Sequence, residues 1–179
     1  MTDLMESPNP TRNQQAMLTA WQQHTYAEFG LKDPDAALAV MTEDPYVLHI
    51  PSGTGGAGRT EVHRFYAEQM LPNLPPDLEL VSLSQIVGDD RIVEEFVIRF
   101  THTLRMDWML PSVPATNRKV EFVLVGIIGF RGGKVASEHI YWDQATVLCQ
   151  LGILDHPVAA AGLGGAAQLL KLSAQPVAA

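Results

Sequence analysis

The residues best suited to chemistry lie together near the end of the sequence, in the segment EHIYWDQATVLCQLGIL at positions 138–154. His139, Tyr141 and Asp143 stand at alternate positions there, so an extended strand would place all three side chains on one face. A carboxylate in a mostly apolar pocket has a raised pKa and can take and return a proton near neutral pH. His139 could share that proton, and the Tyr141 phenol could donate to a developing enolate. Such a set suits proton abstraction next to a carbonyl group, with no organic cofactor or metal.

The strand pattern by itself leaves the direction of these side chains open. The opposite face carries Glu138, Ile140 and Trp142 and is the more apolar of the two. Burial of apolar surface would therefore favour Trp142 in the core and Asp143 in water. The two interpretations are a reactive pocket face and an ordinary strand with one solvated face.

Helices are predicted first along the chain. A helical pattern covers about residues 11–42, interrupted after Gly30 and restarted by Asp33 as N-cap with Pro34 at the first helical position. A short strand is predicted at 45–51, and a further helix at 60–71 ends where prolines follow. The segment 145–153 is predicted to form a closing turn of helix.

The periodicity then changes from helical to alternating, which indicates strands at 78–88, 91–106, 120–130 and 135–144. Helices followed by long strands predict an α+β fold, with the helices covering one face of the sheet. Gly126 and Gly129 within the third long strand could mark bulges that curve it. In the strand 91–106, Phe96, Ile98 and Phe100 share a packed face, and His102 lies at its end beside a long loop.

Domain organisation follows from composition along the chain. Residues 1–11 are predicted to be a flexible N-terminus, 12–154 a single domain, and 155–179 a tail rich in Ala and Gly. A short helix is possible at 166–172, and the last few residues are expected to be mobile.

The bulk composition excludes several classes of function. Of 179 residues, 46% are hydrophobic and 18% charged, which is typical of a globular protein, and the net charge of −8 disfavours nucleic acids and anionic membranes as partners. The single cysteine, Cys149, excludes an intrachain disulfide, and the histidines show no H-E-x-x-H spacing, so no metal site is predicted. No apolar leader or run long enough to span a bilayer is present, and a cytoplasmic location is expected.

Several motifs in order resemble those of one family. They are Asp143 followed by QATVLCQLG, His49-Ile50-Pro51 followed by Gly58, Thr101-His102 at the end of a long strand, PATNRKV, and the turns GDDR and GGK. Over residues 12–154 the chain resembles the SnoaL-like polyketide cyclase branch of the nuclear transport factor 2-like superfamily. The resemblance implies a cone in which N-terminal helices pack on a curved antiparallel or mixed sheet that encloses a pocket.

The resemblance also implies roles for particular residues. Asp143 would face the cavity as the acid/base, with His139 as a second catalytic group and Tyr141 as a substrate contact. His49 and His102 would line the mouth, and Trp21 and Tyr26 on the first helix would wall the cavity. Trp142 would then face outward, into a homodimer interface.

Three functions stay open at this point. The first is a cofactor-independent cyclase, isomerase or lyase that acts on a small apolar carbonyl compound through Asp143 and His139. The second is a module that binds a small molecule or serves as an accessory protein without turnover. In the third, the cavity is only core and the dimer surface carries the function.

Overall fold

A computed structural model describes residues 9–155 and 165–173 of the chain. The first eight residues of the predicted flexible N-terminus, and the tail residues 156–164 and 174–179, lie outside the described residues. Within the described residues, no helix is long and apolar enough to cross a membrane.

The helical part begins with α1, Arg12–Thr25, whose N-cap Thr11 and Gln14 form a capping box. The helix does not end at Gly30 but continues as a π-helical segment, Tyr26–Leu31. Helix α2, Pro34–Ala39, starts as predicted with Asp33 as N-cap.

The remaining helices follow the same local rules. Helix α3, Arg59–Arg64, runs into a π-helical segment, Phe65–Met70, and a 3₁₀ turn, Leu71–Asn73. Helix α4 spans Gln144–Gln150, and helix α5 spans Gly165–Ser173 and contacts the sheet.

The sheet has six strands in the order β2-β1-β6-β5-β4-β3. Their bounds are Met41–His49, Thr54–Ala57, Glu79–Val87, Arg91–Thr101, Lys119–Arg131 and Lys134–Trp142 for β1 to β6. All neighbouring pairs are antiparallel except β1 and β6, which are parallel. The α+β fold class predicted from the sequence is confirmed, with a mixed and open sheet.

Two strand ends differ from the sequence-based prediction. Strand β1 starts at Met41 because that residue pairs with Val135 on β6, which takes it out of the predicted helix. Strand β4 ends at Thr101 rather than at residue 106. Gly129 lies at a register shift between β5 and β6, as expected of a bulge, whereas Gly126 pairs regularly with Ile140.

Candidate functional site

A cavity lies between the N-terminal helices and the inner face of the sheet. The volume of this cavity is about 50 Å³. The sheet contributes a mostly apolar wall, formed by Val47, Phe96, Ile98, Phe100, Phe122, Leu124, Ile140 and Trp142.

One end of this apolar cavity is polar. The Glu138 carboxylate, which lines the cavity, accepts hydrogen bonds at Oε1 from the Tyr66 hydroxyl at 3.0 Å and from His24 Nε2 at 2.9 Å. A second cavity-lining carboxyl group, that of Glu28, lies with Oε1 3.4 Å from the same His24 nitrogen. The other ring nitrogen of His24 is 3.1 Å from the Ala37 carbonyl oxygen. All four side chains are buried, and we call them the polar cluster.

Four separate elements bring the polar cluster together. His24 in the last turn of α1 and Glu28 in the π-helical continuation stand at positions i and i+4, which face the same side of a helix. Tyr66 comes from the π-helical segment after α3. Glu138 comes from β6, where it shares the inner face with Ile140, two residues further along the strand. The cluster therefore exists only in the folded chain.

The environment pushes the pKa values of the two carboxyl groups in opposite directions. Burial raises the pKa of Glu138, but the charge of His24 and hydrogen bonds from His24 and Tyr66 outweigh burial, so its net pKa is lowered. Burial raises the pKa of Glu28, the nearby charge of Glu138 adds to this, and attraction to His24 does not cancel it. Glu138 is therefore the carboxyl group that ionises first, and Glu28 the one that holds its proton longer.

The hydrogen-bond partners of these carboxyl groups respond to the same charges. Burial lowers the pKa of His24, yet the charges of Glu138 and Glu28 hold it well above its usual range. The pKa of the Tyr66 phenol is raised by burial and by both carboxylates. With His24 protonated and Glu138 ionised, the two buried charges offset each other, and the raised pKa of Glu28 lets this second carboxyl group hold its proton to higher pH than an exposed glutamic acid does.

His49 lines the cavity beyond the polar cluster and is only 4% exposed. Its ring packs against Phe65, Trp108 and Trp142, with ring centroids 5.4, 5.4 and 5.8 Å away. Burial lowers the pKa of His49 to about 4, so the ring is neutral at pH 7. The sequence-based expectation that His49 contacts the cavity agrees with this position.

Trp21 also lies in the cavity wall, as expected from the sequence. Its indole Nε1 donates to Glu94 Oε2 at 2.5 Å, and Ser82 and Gln85 donate to the same carboxylate. Trp21 separates the cavity from a groove on the surface that shares several of its lining residues. Tyr26 lines this groove but not the cavity, and it is 62% exposed, so the prediction that it walls the cavity is wrong.

The prediction that Asp143 faces the cavity is also wrong. Its side chain is exposed and caps α4: Oδ1 accepts from the backbone N–H groups of Ala145 at 2.9 Å and Thr146 at 3.2 Å, and Oδ2 accepts from the Thr146 hydroxyl at 2.6 Å. The hydrogen bonds from the Thr146 side chain and the backbone lower the pKa of Asp143. A carboxylate held in this way stabilises a helix start and does not resemble a desolvated acid.

The other side chains of β6 also face the opposite way from the prediction. His139 lies on the outer face, where its Nε2 is 2.8 Å from the Tyr46 hydroxyl, and Tyr141 is 39% exposed on that face. Trp142 lines the cavity instead of a dimer interface. The register explains this, because Trp142 pairs with Leu124 on β5, and residues paired across strands share a face.

His102 is fully buried but does not line the cavity. Its Nδ1 is 3.2 Å from the Thr116 hydroxyl, and burial lowers its pKa. The His102 backbone pairs with Arg118 and Asn117, which extends the pairing of β4 with β5. Because His102 is not among the residues that line the cavity, the prediction that it lies at the mouth of the cavity is wrong.

The sequence reasoning missed every member of the polar cluster. His24 stood within the apolar pattern of α1, and Glu138 stood on the apolar face of β6, where each passes for an ordinary core or surface residue. Two features of the sequence could have indicated the cluster. His24 and Glu28 are spaced to share one side of a helix, and Glu138 is a charged residue on an otherwise apolar strand face. Tyr66 gave no such signal.

The polar cluster also includes the one group of described residues able to share a metal ion. The candidate ligand atoms of His24, Glu28 and Glu138 all lie within 4.8 Å of one another. Bound protons can balance the carboxylate charges of Glu28 and Glu138 in place of a metal ion. The polar cluster is therefore compatible with chemistry either with or without a metal.

Comparisons with known proteins agree with this fold. The family model for the SnoaL-like domain matches residues 15–138. No curated protein matches the chain. A solved structure assigned as a SnoaL-like polyketide cyclase from Jannaschia sp. CCS1 is 20% identical with a TM-score of 0.60, covering 84% of this chain and 98% of its own.

Two further structures share the architecture. A nuclear transport factor 2-like protein of unknown function from Burkholderia pseudomallei K96243 is 18% identical, with a TM-score of 0.59 and coverage of 76% and 97%. A protein with a ketosteroid isomerase-like fold from Catenulispora acidiphila DSM 44928, in complex with trimethylamine, is 17% identical, with a TM-score of 0.58 and coverage of 79% and 97%. These identities show the fold alone. With the family model spanning most of the sequence, the chain belongs to the SnoaL-like domain family and has the nuclear transport factor 2-like fold.

Proposed function

We propose that the protein catalyses proton transfer next to the carbonyl group of a small apolar compound, with Glu138 as the base and Glu28 as the acid. The observation that carries this proposal is a pair of buried carboxyl groups that line one apolar cavity, both lie near His24 Nε2, and have pKa values shifted in opposite directions. Titratable groups whose environments separate their pKa values are the usual acid and base of such sites.

The reaction step uses only groups of this chain and the substrate. Glu138 takes a proton from the carbon next to the carbonyl, while Glu28 gives its proton to the carbonyl oxygen, which leaves a neutral enol. Returning a proton to a different carbon gives isomerisation. Attack of the enol on a second carbonyl gives aldol-type cyclisation, and loss of a β-hydroxyl group as water gives dehydration.

His24 and Tyr66 are positioning residues in this scheme. Both donate to the same oxygen of Glu138, which leaves Oε2 as the atom for the substrate proton. A protonated carboxylic acid that donates to a developing enolate is known chemistry in ketosteroid isomerases. The likeness in fold to a polyketide cyclase and a ketosteroid isomerase-like protein supports this reaction class by analogy.

The test is exchange of substrate hydrogen for deuterium, which requires no knowledge of the product. Small enolisable ketones in D₂O are followed by NMR with wild type, Glu138→Gln and Glu28→Gln, and with Asp143→Asn as the control carboxylate outside the cavity. Wild type and the control should accelerate exchange, and the exchange rate with Glu138→Gln should be lower by about 100-fold or more. Equal rates in wild type and Glu138→Gln, or loss of exchange in Asp143→Asn, would overturn the assignment.

Metal dependence is checked in the same assay. Dialysis against a chelator should leave the exchange rate unchanged, because protons alone balance the charges of the polar cluster. A rate that disappears with the chelator and returns with a divalent ion would show that His24, Glu28 and Glu138 act as metal ligands.

A second candidate, ligand binding without turnover, is favoured by one observation. Glu138 is only 3% exposed, and its charge is already compensated by His24 and Tyr66, as in a structural buried ion pair. Saturable binding of a ketone without any deuterium exchange would support this second function.

We also propose a homodimer formed through the outer face of β1 and β6. Tyr46 and Leu48 on β1, Ile50 directly after it, and Tyr141 on β6 are each between 38% and 42% exposed. Exposed apolar side chains that form a contiguous patch are typical of protein interfaces. A second copy of the chain would cover these residues without touching the cavity.

A further inference from the structure

We infer that His49 is the second polar contact of the cavity and accepts a hydrogen bond from a hydroxyl group of the bound compound. This inference rests on the proposed function for the orientation of the compound, with its carbonyl group at the polar cluster. It specifies the substrate class as a small ketone that carries a hydroxyl group remote from the reacting carbon.

The first argument is an unmet hydrogen-bonding need. His49 Nδ1 is buried and has no hydrogen-bond partner in the part of the chain that the structure describes. A buried polar group without a partner destabilises a protein. The ring lies in the cavity wall, where a bound compound could supply the missing partner.

The second argument is the type of partner that the ring selects. A contact between the ring and the Thr54 backbone raises the pKa of His49, as expected when a ring N–H donates to a carbonyl oxygen. Burial still holds the ring neutral at pH 7, and a neutral imidazole has one donor and one acceptor nitrogen. We assign the acceptor role to Nδ1, the ring nitrogen without a partner, and an acceptor favours a hydroxyl group over a carbonyl or an anion.

The third argument is the position of His49 relative to Glu138. Strands β1 and β6 run parallel, with Val47 beside Glu138 and His49 beside Ile140. Two residues along a strand correspond to about 7 Å. The hydroxyl group should therefore lie about 7 Å from the carbon that loses its proton, which is roughly the length of a six-membered ring with its substituents.

The aromatic side chains around His49 favour a flat compound. Trp108 and Trp142 pack on His49, and Phe122 lies next to Trp142, with ring centroids 6.5 Å apart. Aromatic side chains stack well on other rings. A hydroxylated aromatic or alicyclic ketone matches the polar cluster, the apolar walls and the His49 acceptor together.

The experiment compares 4-hydroxyacetophenone with 4-fluoroacetophenone, which is similar in size and lacks the donor. Dissociation constants are measured by calorimetry for wild type, His49→Phe and, as a matched control, His139→Phe on the outer face. Wild type and the control should bind the hydroxylated probe at least about tenfold more tightly. In His49→Phe the ratio of the two dissociation constants should approach one.

The inference is overturned if His49→Phe keeps the wild-type preference, if wild type does not distinguish the probes, or if neither probe binds. Circular dichroism checks that each variant is folded. As a second measurement, the ¹⁵N resonances of the His49 ring should shift on adding the hydroxylated probe to wild type and should not shift with the fluorinated one.

Failure of the proposed function gives a different pattern. Glu138→Gln should lose deuterium exchange but keep the preference for the hydroxylated probe, because the two contacts lie at different points of the cavity. If wild type prefers the hydroxylated probe but exchanges no deuterium, the result would support His49 as a recognition residue and refute Glu138 as a catalytic base.

Discussion

Replacement of His49 by Phe should change how the stability of the protein depends on pH. The folded protein holds the His49 pKa at about 4, against an ordinary value of 6.5. Between these values the unfolded chain binds a proton that the folded chain does not, so His49 makes the protein less stable as the pH falls through 6.5 towards 4. Its favourable contribution is fully present above pH 6.5.

The size of the effect follows from the shift. A difference from 6.5 to about 4 corresponds to roughly 3 kcal/mol in total, of which about 2 kcal/mol falls between pH 7.5 and pH 5. His24 acts in the opposite direction, since its raised pKa gives stability that is present below 6.5 and lost as the pH rises. The wild-type profile is the sum of both, and the difference between wild type and His49→Phe isolates His49.

Urea denaturation at pH 7.5 and pH 5 measures the free energy of unfolding for both proteins. The loss on going to pH 5 should be smaller in His49→Phe than in wild type by about 2 kcal/mol. His49→Leu should show the same difference, because the effect depends on losing the titrating ring and not on the side chain that replaces it. Identical pH dependence in wild type and both variants would refute the conclusion that His49 is buried and neutral.

Three further outcomes are expected. Asp143→Ala should lower the free energy of unfolding by about 1 kcal/mol through loss of the α4 cap, with deuterium exchange unchanged; a loss of exchange would contradict the capping role. Tyr66→Phe removes a donor to Glu138 and should destabilise the protein by about 1–3 kcal/mol in urea denaturation, and an unchanged midpoint would count against the hydrogen bond. Leu48→Asp should yield a monomer in sedimentation if the outer face forms the homodimer, whereas a wild type that is already monomeric would exclude that dimer.

Local rules read from the sequence explain most of the architecture. Asp33 and Pro34 start α2 where capping preferences predict a helix. The alternation of Phe96, Ile98 and Phe100 correctly identified the inner face of β4, because a strand must bury its apolar side. The same physics favoured Trp142 as the buried residue of β6, which the structure bears out.

The family resemblance predicted the fold correctly, but it implied that His139 and Tyr141 face the cavity, whereas both lie on the outer face of β6. Asp143 stands three residues before Thr146, a spacing that a helix N-cap explains without any reference to a cavity. Its match to the family motif therefore concerned the start of α4. A motif position gives the residue but not the direction of its side chain.

What the sequence by itself determined was most of the helices and strands and the buried face of a strand such as β4, since those depend on neighbours a few residues apart. The candidate site depends on contacts between distant segments, as in the hydrogen bond from Tyr66 to Glu138, which joins residues 72 positions apart. Only the tertiary structure decided that these side chains meet His24 and Glu28 at one end of a cavity. The opposite pKa shifts of Glu28 and Glu138 arise from burial and from that charge pairing, and neither exists before the chain has folded.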